Sequence, residues 1–185
     1  GDRVHHWFTF NEPKVILDGG YLYKFHYPLK VDGPLAVQVA YNINLASAKA
    51  IKKFHERFTD GQNKIGIILN LTPAYPASDK EGDLAAAHFA NLWDNNMFLD
   101  PAILGHYPKD LVNILKSDGV LWDSTPEELQ LIKENTIDEL GVNFYHPERV
   151  QAPQVSPKSL QDWMPDIYFD NYEMPGRVIN VDKGW

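Results

Sequence analysis

Three short apolar runs in this chain carry polar residues at their ends. The run over 4–10 is followed by Asn11-Glu12, the run over 64–71 carries Asn70, and the run over 140–145 carries Asn143 and Tyr145. If the runs are parallel strands, those ends share one side of the molecule. In α/β folds, open or barrel-shaped, that side holds the active site. Glu12 is the carboxylate of the set. At a strand tip it is a candidate general acid or base, able to protonate a leaving oxygen and to activate water. The plainer alternative is a loop residue that caps the next helix or pairs with Arg3 or Lys14.

Other chemistries find less support. His5 and His6 are adjacent in a strand-like run and point to opposite faces, so they cannot chelate one metal together. His26, His55, His88, His106 and His146 lack ligand spacing, and no metal or other cofactor is expected. Neither a phosphate loop nor a GxGxxG turn occurs, and Ser124, Ser156 and Ser159 lack a nucleophile-elbow context. Asn70-Leu71-Thr72 spells a glycosylation sequon, but at a buried strand end it reads as incidental. Aromatic residues make up 12% of the chain. Packing uses such rings, and so do sugar sites, which lay flat rings against sugar faces.

The elements that must position Glu12 follow from periodicity. Pro13 ends the first run, and a polar, aromatic loop leads to Asp32 and Pro34, a cap and an N-terminal proline. Ala36, Ala40, Ile43, Ser47, Ala50, Ile51, Phe54 and Phe58 then recur at helical spacing, predicting an amphipathic helix of about six turns ended by Asp60-Gly61. Residues 64–71 and 140–145 read as strands buried on both faces. Between them, Ser78-Asp79-Lys80-Glu81 and Thr125-Pro126-Glu127-Glu128 have capping-box spacing. Ala85, Ala86, Phe89, Leu92, Trp93 and Met97 form an apolar stripe, and Asp100-Pro101 marks a boundary or kink. Strands alternating with helices predict parallel βαβ units. From His146 onward the chain reads as a long irregular loop. Three strands leave two raw sheet edges, a route to self-association.

The chain has 185 residues, enough for one sizeable domain. With 17 Lys+Arg against 25 Asp+Glu, its formal charge of −8 repels phosphate backbones, which disfavours nucleic acid. Cysteine is absent, which excludes disulfides, thiolate metal sites and Cys nucleophiles in this chain. No apolar run is long enough for a transmembrane helix, and the first residues resemble neither a signal nor a transit peptide. The expectation is a cytoplasmic protein without a membrane partner.

Residues 7–13, Trp-Phe-Thr-Phe-Asn-Glu-Pro, resemble the TFNEP signature of glycoside hydrolase family 1. The resemblance continues through residues 70–78 (NLTPAYPAS), Phe98-Leu99-Asp100-Pro101, Gly105-His106-Tyr107-Pro108, residues 140–145 (LGVNFY) and Gly184-Trp185. It implies a partial TIM (β/α)8 barrel of the α/β class, matching roughly strands four to six and their helices. Residues 1–185 would form a single partial barrel domain, with 146–185 a long irregular loop region within it. It implies retaining hydrolysis by two carboxylates about 5–5.5 Å apart. Glu12 matches the acid/base, Asn11 the residue that binds the sugar 2-hydroxyl, and Tyr145 the tyrosine that orients the nucleophile. Asn143 and Asn70 are further matches, Asn70 near the aglycone side. The nucleophile, which the family supplies from an ITENG-like motif, has no counterpart after Tyr145; Glu148 and Glu173 do not match it. Residues 19–28, Trp163-Met164-Pro165-Asp166 and Met174-Pro175-Gly176-Arg177 resemble bacterial 6-phospho-β-glucosidases. The implied partner is a phosphorylated β-linked disaccharide or aryl β-glucoside. A hydrolase of unphosphorylated β-glucosides and a non-catalytic sugar-binding half-barrel remain open alternatives. Lys14 stands where ordinary β-glucosidases of the family carry an aromatic. The expectation is an internal fragment, inactive alone.

Overall fold

The computed structural model describes residues 3–154 and 163–173. Met174-Pro175-Gly176-Arg177, Gly184-Trp185, Ser156 and Ser159 lie outside the described residues. β2 (Lys64–Asn70) is the central strand of a parallel sheet ordered β1-β2-β4, with β1 at His6–Asn11 and β4 at Glu139–Asn143. Trp7 pairs with Ile65 and Phe8 with Gly66, then the register slips so that Asn11 stands opposite Ile68. On the other side, Asn70 stands opposite Asn143. Gly66 is required for this contact, because a Cβ there would lie 2.0 Å from the Glu139 carbonyl oxygen.

The expectation that 64–71 and 140–145 are strands buried on both faces holds only for β2. Ile65, Gly66, Ile67 and Leu69 are buried, whereas Trp7, Phe8 and Val142 are exposed. Among the described residues, β1 and β4 each pair on one side only, which leaves their outer edges and part of their faces uncovered.

Two of the three expected caps form. Asp32 Oδ1 accepts from the Leu35 amide at 2.9 Å, opening a 25-residue helix, α2 (Gly33–Arg57). Its buried face is wider than the predicted stripe: Val37, Tyr41, Asn44 and Ala48 join it, while Ala50 faces solvent. Thr125 and Glu128 form a reciprocal capping box at α6 (Pro126–Glu134). The third is a correction. Ser78 donates to Asp83 at 2.5 Å, and α3 (Glu81–Asn91) starts after an extended Lys80 that makes no side-chain cap. Ser78 stands too far ahead of the first helical residue to reach its amides. In α3, Ala87 and Ala90 are buried and Ala85 is exposed.

Pro101 lies inside a helix rather than at its boundary. A five-residue π-turn (Leu92–Asn96) follows α3 and leads into α4 (Met97–Leu104), with α5 (Lys109–Ser117) beyond. Proline offers no N–H to the carbonyl four residues earlier. That carbonyl, on Met97, accepts instead from buried Asn44 Nδ2 at 2.9 Å.

The region after His146 is also a correction. Residues 148–151 form β5 (Glu148–Gln151), parallel to β3 (Ala74–Pro76), and β6 (Asp170–Asn171) adds antiparallel. Trp163 is buried, with its indole donating to Asp118 at 2.8 Å, and the Tyr168 hydroxyl donates to the same carboxylate at 2.6 Å. Gly33 admits this packing, since a Cβ there would lie 1.8 Å from the Trp163 carbonyl oxygen. No helix among the described residues is long and apolar enough to cross a membrane.

Candidate active site

Glu12 sits in the sharp turn between β1 and α1 (Pro13–Leu17). Its backbone is left-handed, at φ 49° and ψ 58°, a region that costs a non-glycine residue free energy and persists only where neighbours hold it. Its amide donates to the Ile68 carbonyl at 2.9 Å, and its carbonyl accepts from the Val15 amide at 3.0 Å. The turn aims the half-buried side chain across the strand tips. Oε1 accepts from Asn143 Nδ2 at 2.6 Å and from the Tyr145 hydroxyl at 2.5 Å. Asn143 Nδ2 also lies 3.1 Å from Asn11 Oδ1. Hydrogen bonds thus join Asn11, Glu12, Asn143 and Tyr145 into one group. Asn70, opposite Asn143 in register, makes no bond to Glu12.

Neither helix capping nor pairing with Lys14 describes Glu12 in the structure. Glu12 occupies the N-cap position of α1, yet its side chain makes no cap bond. Lys14 turns inward to Asp18, at 2.5 Å, and Asp94, at 3.2 Å. Both donors to Glu12 reach Oε1, and among the described residues none reaches Oε2. The Tyr145 phenol is raised, first by its hydrogen bond to Glu12, then by burial and by the Glu12 charge.

Sequence reasoning missed the layer that holds the loop after β2. Asn95 accepts from the Thr72 amide at 2.8 Å and donates to its carbonyl at 3.0 Å. Asn91 does the same for Ala74, at 3.1 and 2.7 Å. Two amide side chains here bond the backbone of residues 72 and 74 much as a neighbouring strand would. Asp94-Asn95 interrupts an otherwise apolar stripe, and that was the available signal. A cavity of about 490 Å³, lined by residues including Tyr107, Trp122, Leu129 and Lys133, contains none of the Glu12 group. The Glu12 carboxylate and its donors lie outside this hollow.

The sequence model of glycosyl hydrolase family 1 matches residues 1–174. The chain belongs to that family, and its strands and helices are part of a (β/α)8 barrel. Within the family, its likeness is to the 6-phospho-β-glucosidases. It is 51% identical to the 6-phospho-beta-glucosidase GmuD of Bacillus subtilis, over 100% of this chain and 39% of that protein. It is 37% identical to a 1,4-beta-D-glucan glucohydrolase of Thermotoga neapolitana, over 85% of this chain and 36% of the relative. Among solved structures, the family 1 β-glucosidase of Thermotoga maritima superposes with a TM-score of 0.79 at 31% identity. The virulence factor SghA of Agrobacterium tumefaciens superposes with a TM-score of 0.83 at 27% identity. In both cases 100% of this chain covers 38% of the other. The chain therefore spans less than half the length of these relatives.

Proposed function

We propose that the chain supplies the acid/base half of a retaining β-glycosidase acting on 6-phospho-β-glucosides. The observation that carries this reading is the Glu12 carboxylate, held at the strand tips by Asn143 and Tyr145 with one oxygen left over. Glu12 protonates the glycosidic oxygen as the aglycone leaves, then takes a proton from the water that releases the sugar. Asn143 occupies Asn11 Oδ1, which leaves the Asn11 amide nitrogen to donate to the sugar 2-hydroxyl. Asn70 faces the aglycone side. The nucleophile lies outside these 185 residues, so the isolated chain makes no covalent intermediate and does not turn over. The likeness to a 6-phospho-β-glucosidase supports the phosphorylated substrate, and a phosphorylated sugar implies a cytoplasmic enzyme.

An aryl 6-phospho-β-glucoside assay tests this on the isolated chain and on the full-length protein. The isolated chain is expected to show no turnover; turnover above background that Glu12→Gln abolishes would overturn its inactivity. In the full-length protein, equal hydrolysis of the unphosphorylated glucoside would replace the phospho-specific reading with an ordinary β-glucosidase. Calorimetry with cellobiose 6-phosphate and cellobiose tests the non-catalytic reading, which requires sugar affinity indifferent to Glu12→Gln in a protein without turnover. Light scattering tests self-pairing through the open edges of β1 and β4.

A further inference from the structure

Lys14, two residues past Glu12, is the shared partner of two carboxylates from separate parts of the chain. Asp18 opens the π-turn Asp18–Leu22, which follows α1, and Asp94 lies within the π-turn Leu92–Asn96. Such turns are rare and concentrate at functional sites. The ammonium joins these two helical turns, one after α1 and one between α3 and α4. The aromatic expected at this position in ordinary family members would stack on an aglycone. This lysine spends its charge inside the protein.

We propose that Lys14 is the positioning residue of Glu12: by tying both π-turns together, its ammonium holds the left-handed turn from which the carboxylate reaches Asn143 and Tyr145. The inference rests on reading Glu12 as the general acid. α1 has only five residues, too few to persist without tertiary anchors. Its first turn carries Lys14, and the disfavoured Glu12 backbone runs directly into it. With that anchor removed, the turn relaxes and the carboxylate leaves its donors. A displacement of about 1 Å at a catalytic group costs on the order of 100-fold in rate. The charges around the ammonium agree with this role. Burial alone would lower the Lys14 ammonium, but Asp94 and Asp18 hold it above its ordinary range. Asp94 faces Lys14, Asp18 and, from β5, Glu148. Asp18 and Asp94 also bear on Tyr23, whose hydroxyl donates to Asp166 at 2.6 Å. Lys14 is the cation of this set.

The test compares two substrates in the full-length protein. A dinitrophenyl 6-phospho-β-glucoside has a leaving group that departs without a proton, whereas a phenyl 6-phospho-β-glucoside needs the acid. Because kcat/KM reports the first step alone, it isolates acid assistance. Lys14→Met is expected to lower kcat/KM about 30-fold or more for the phenyl substrate and less than about threefold for the dinitrophenyl one. Lys14→Arg, which keeps the charge, should bring the ratio of the two back to within about threefold of the unaltered protein. Should Lys14→Met not fold, Lys14→Met/Asp94→Asn removes one buried charge of each sign and carries the same comparison. Equal losses on both substrates would show a merely structural role and overturn the inference. Glu12→Gln is the control. If it shows the split and Lys14→Met does not, only the positioning role fails. If Glu12→Gln shows no split, the acid assignment itself fails.

Discussion

The Tyr145 hydroxyl donates to Glu12 Oε1 at 2.5 Å, so the residue that the family resemblance pairs with a nucleophile is bonded here to the acid/base candidate. That bond makes the phenol a reporter of the carboxylate. A negative acceptor opposes a second negative charge on the tyrosine and raises its titration. Glu12→Gln removes the charge and keeps an oxygen that can accept. Tyr145 is then expected to titrate at lower pH, read by the chemical shift of its labelled ring carbon against a Tyr145→Phe assignment control. An unmoved titration would mean that the two side chains do not meet in solution.

Asn44 and Pro101 form a second testable pair. Asn44 Nδ2 serves the Met97 carbonyl that Pro101 cannot, and lies 3.1 Å from the Tyr107 hydroxyl. Asn44→Ala leaves a buried carbonyl without a donor and is expected to cost about 1–3 kcal/mol in urea unfolding. Pro101→Ala restores an N–H to that carbonyl. On the Asn44→Ala background it should recover part of the loss, and in the unaltered protein it should recover little. Additive effects would show that the two residues do not share one acceptor.

Much of this arrangement could be read from the chain. Asn11, Glu12 and Asn143 end runs that pattern as parallel strands, and parallel pairing alone brings such ends together. The Asp32 and Thr125 caps were equally legible, because each bonds an amide only three residues away. The Lys14 cluster was not, since Asp94 joins it from a distant helix and no local rule links the two positions. β5 and β6 were missed for another reason. With four and two residues they are too short to show alternation. Their pairing with β3 and Gln151 is a tertiary outcome that depends on Val150 reaching the small core around Ala86 and Ala90.

Gly66 gives a prediction about the sheet itself. A methyl group there would collide with the Glu139 carbonyl oxygen, which is backbone and cannot swing away. Gly66→Ala is expected to destabilise the protein by about 3 kcal/mol or more, as overpacking and lost strand pairing combine. Amide exchange should quicken first in β4, which pairs with β2 alone among the described strands. A variant with unchanged melting and unchanged exchange in 139–143 would contradict the register.

Asp94 predicts a pH dependence of stability whose sign follows from burial. Its carboxyl is pushed up to about 6 from 3.8, by burial first and by Asp18, against the pull of Lys14. The folded protein therefore binds this proton more tightly than the unfolded chain does. The resulting stabilisation is fully present below about pH 4 and is lost as pH rises through about 6. Asp94→Asn removes that slope. The stability of the unaltered protein relative to Asp94→Asn should fall between pH 4 and pH 7, by an amount on the order of 2 kcal/mol. Asp83 works in the opposite sense. Hydrogen bonds from Ser78 and the Ala152 amide lower it, so its contribution is present above the ordinary carboxylate range and lost on acidification. Urea midpoints at matched pH values for Asp94→Asn and Asp83→Asn separate the two. A relative stability that rises with pH for the Asp94 pair would show that Lys14, rather than burial, dominates that carboxyl.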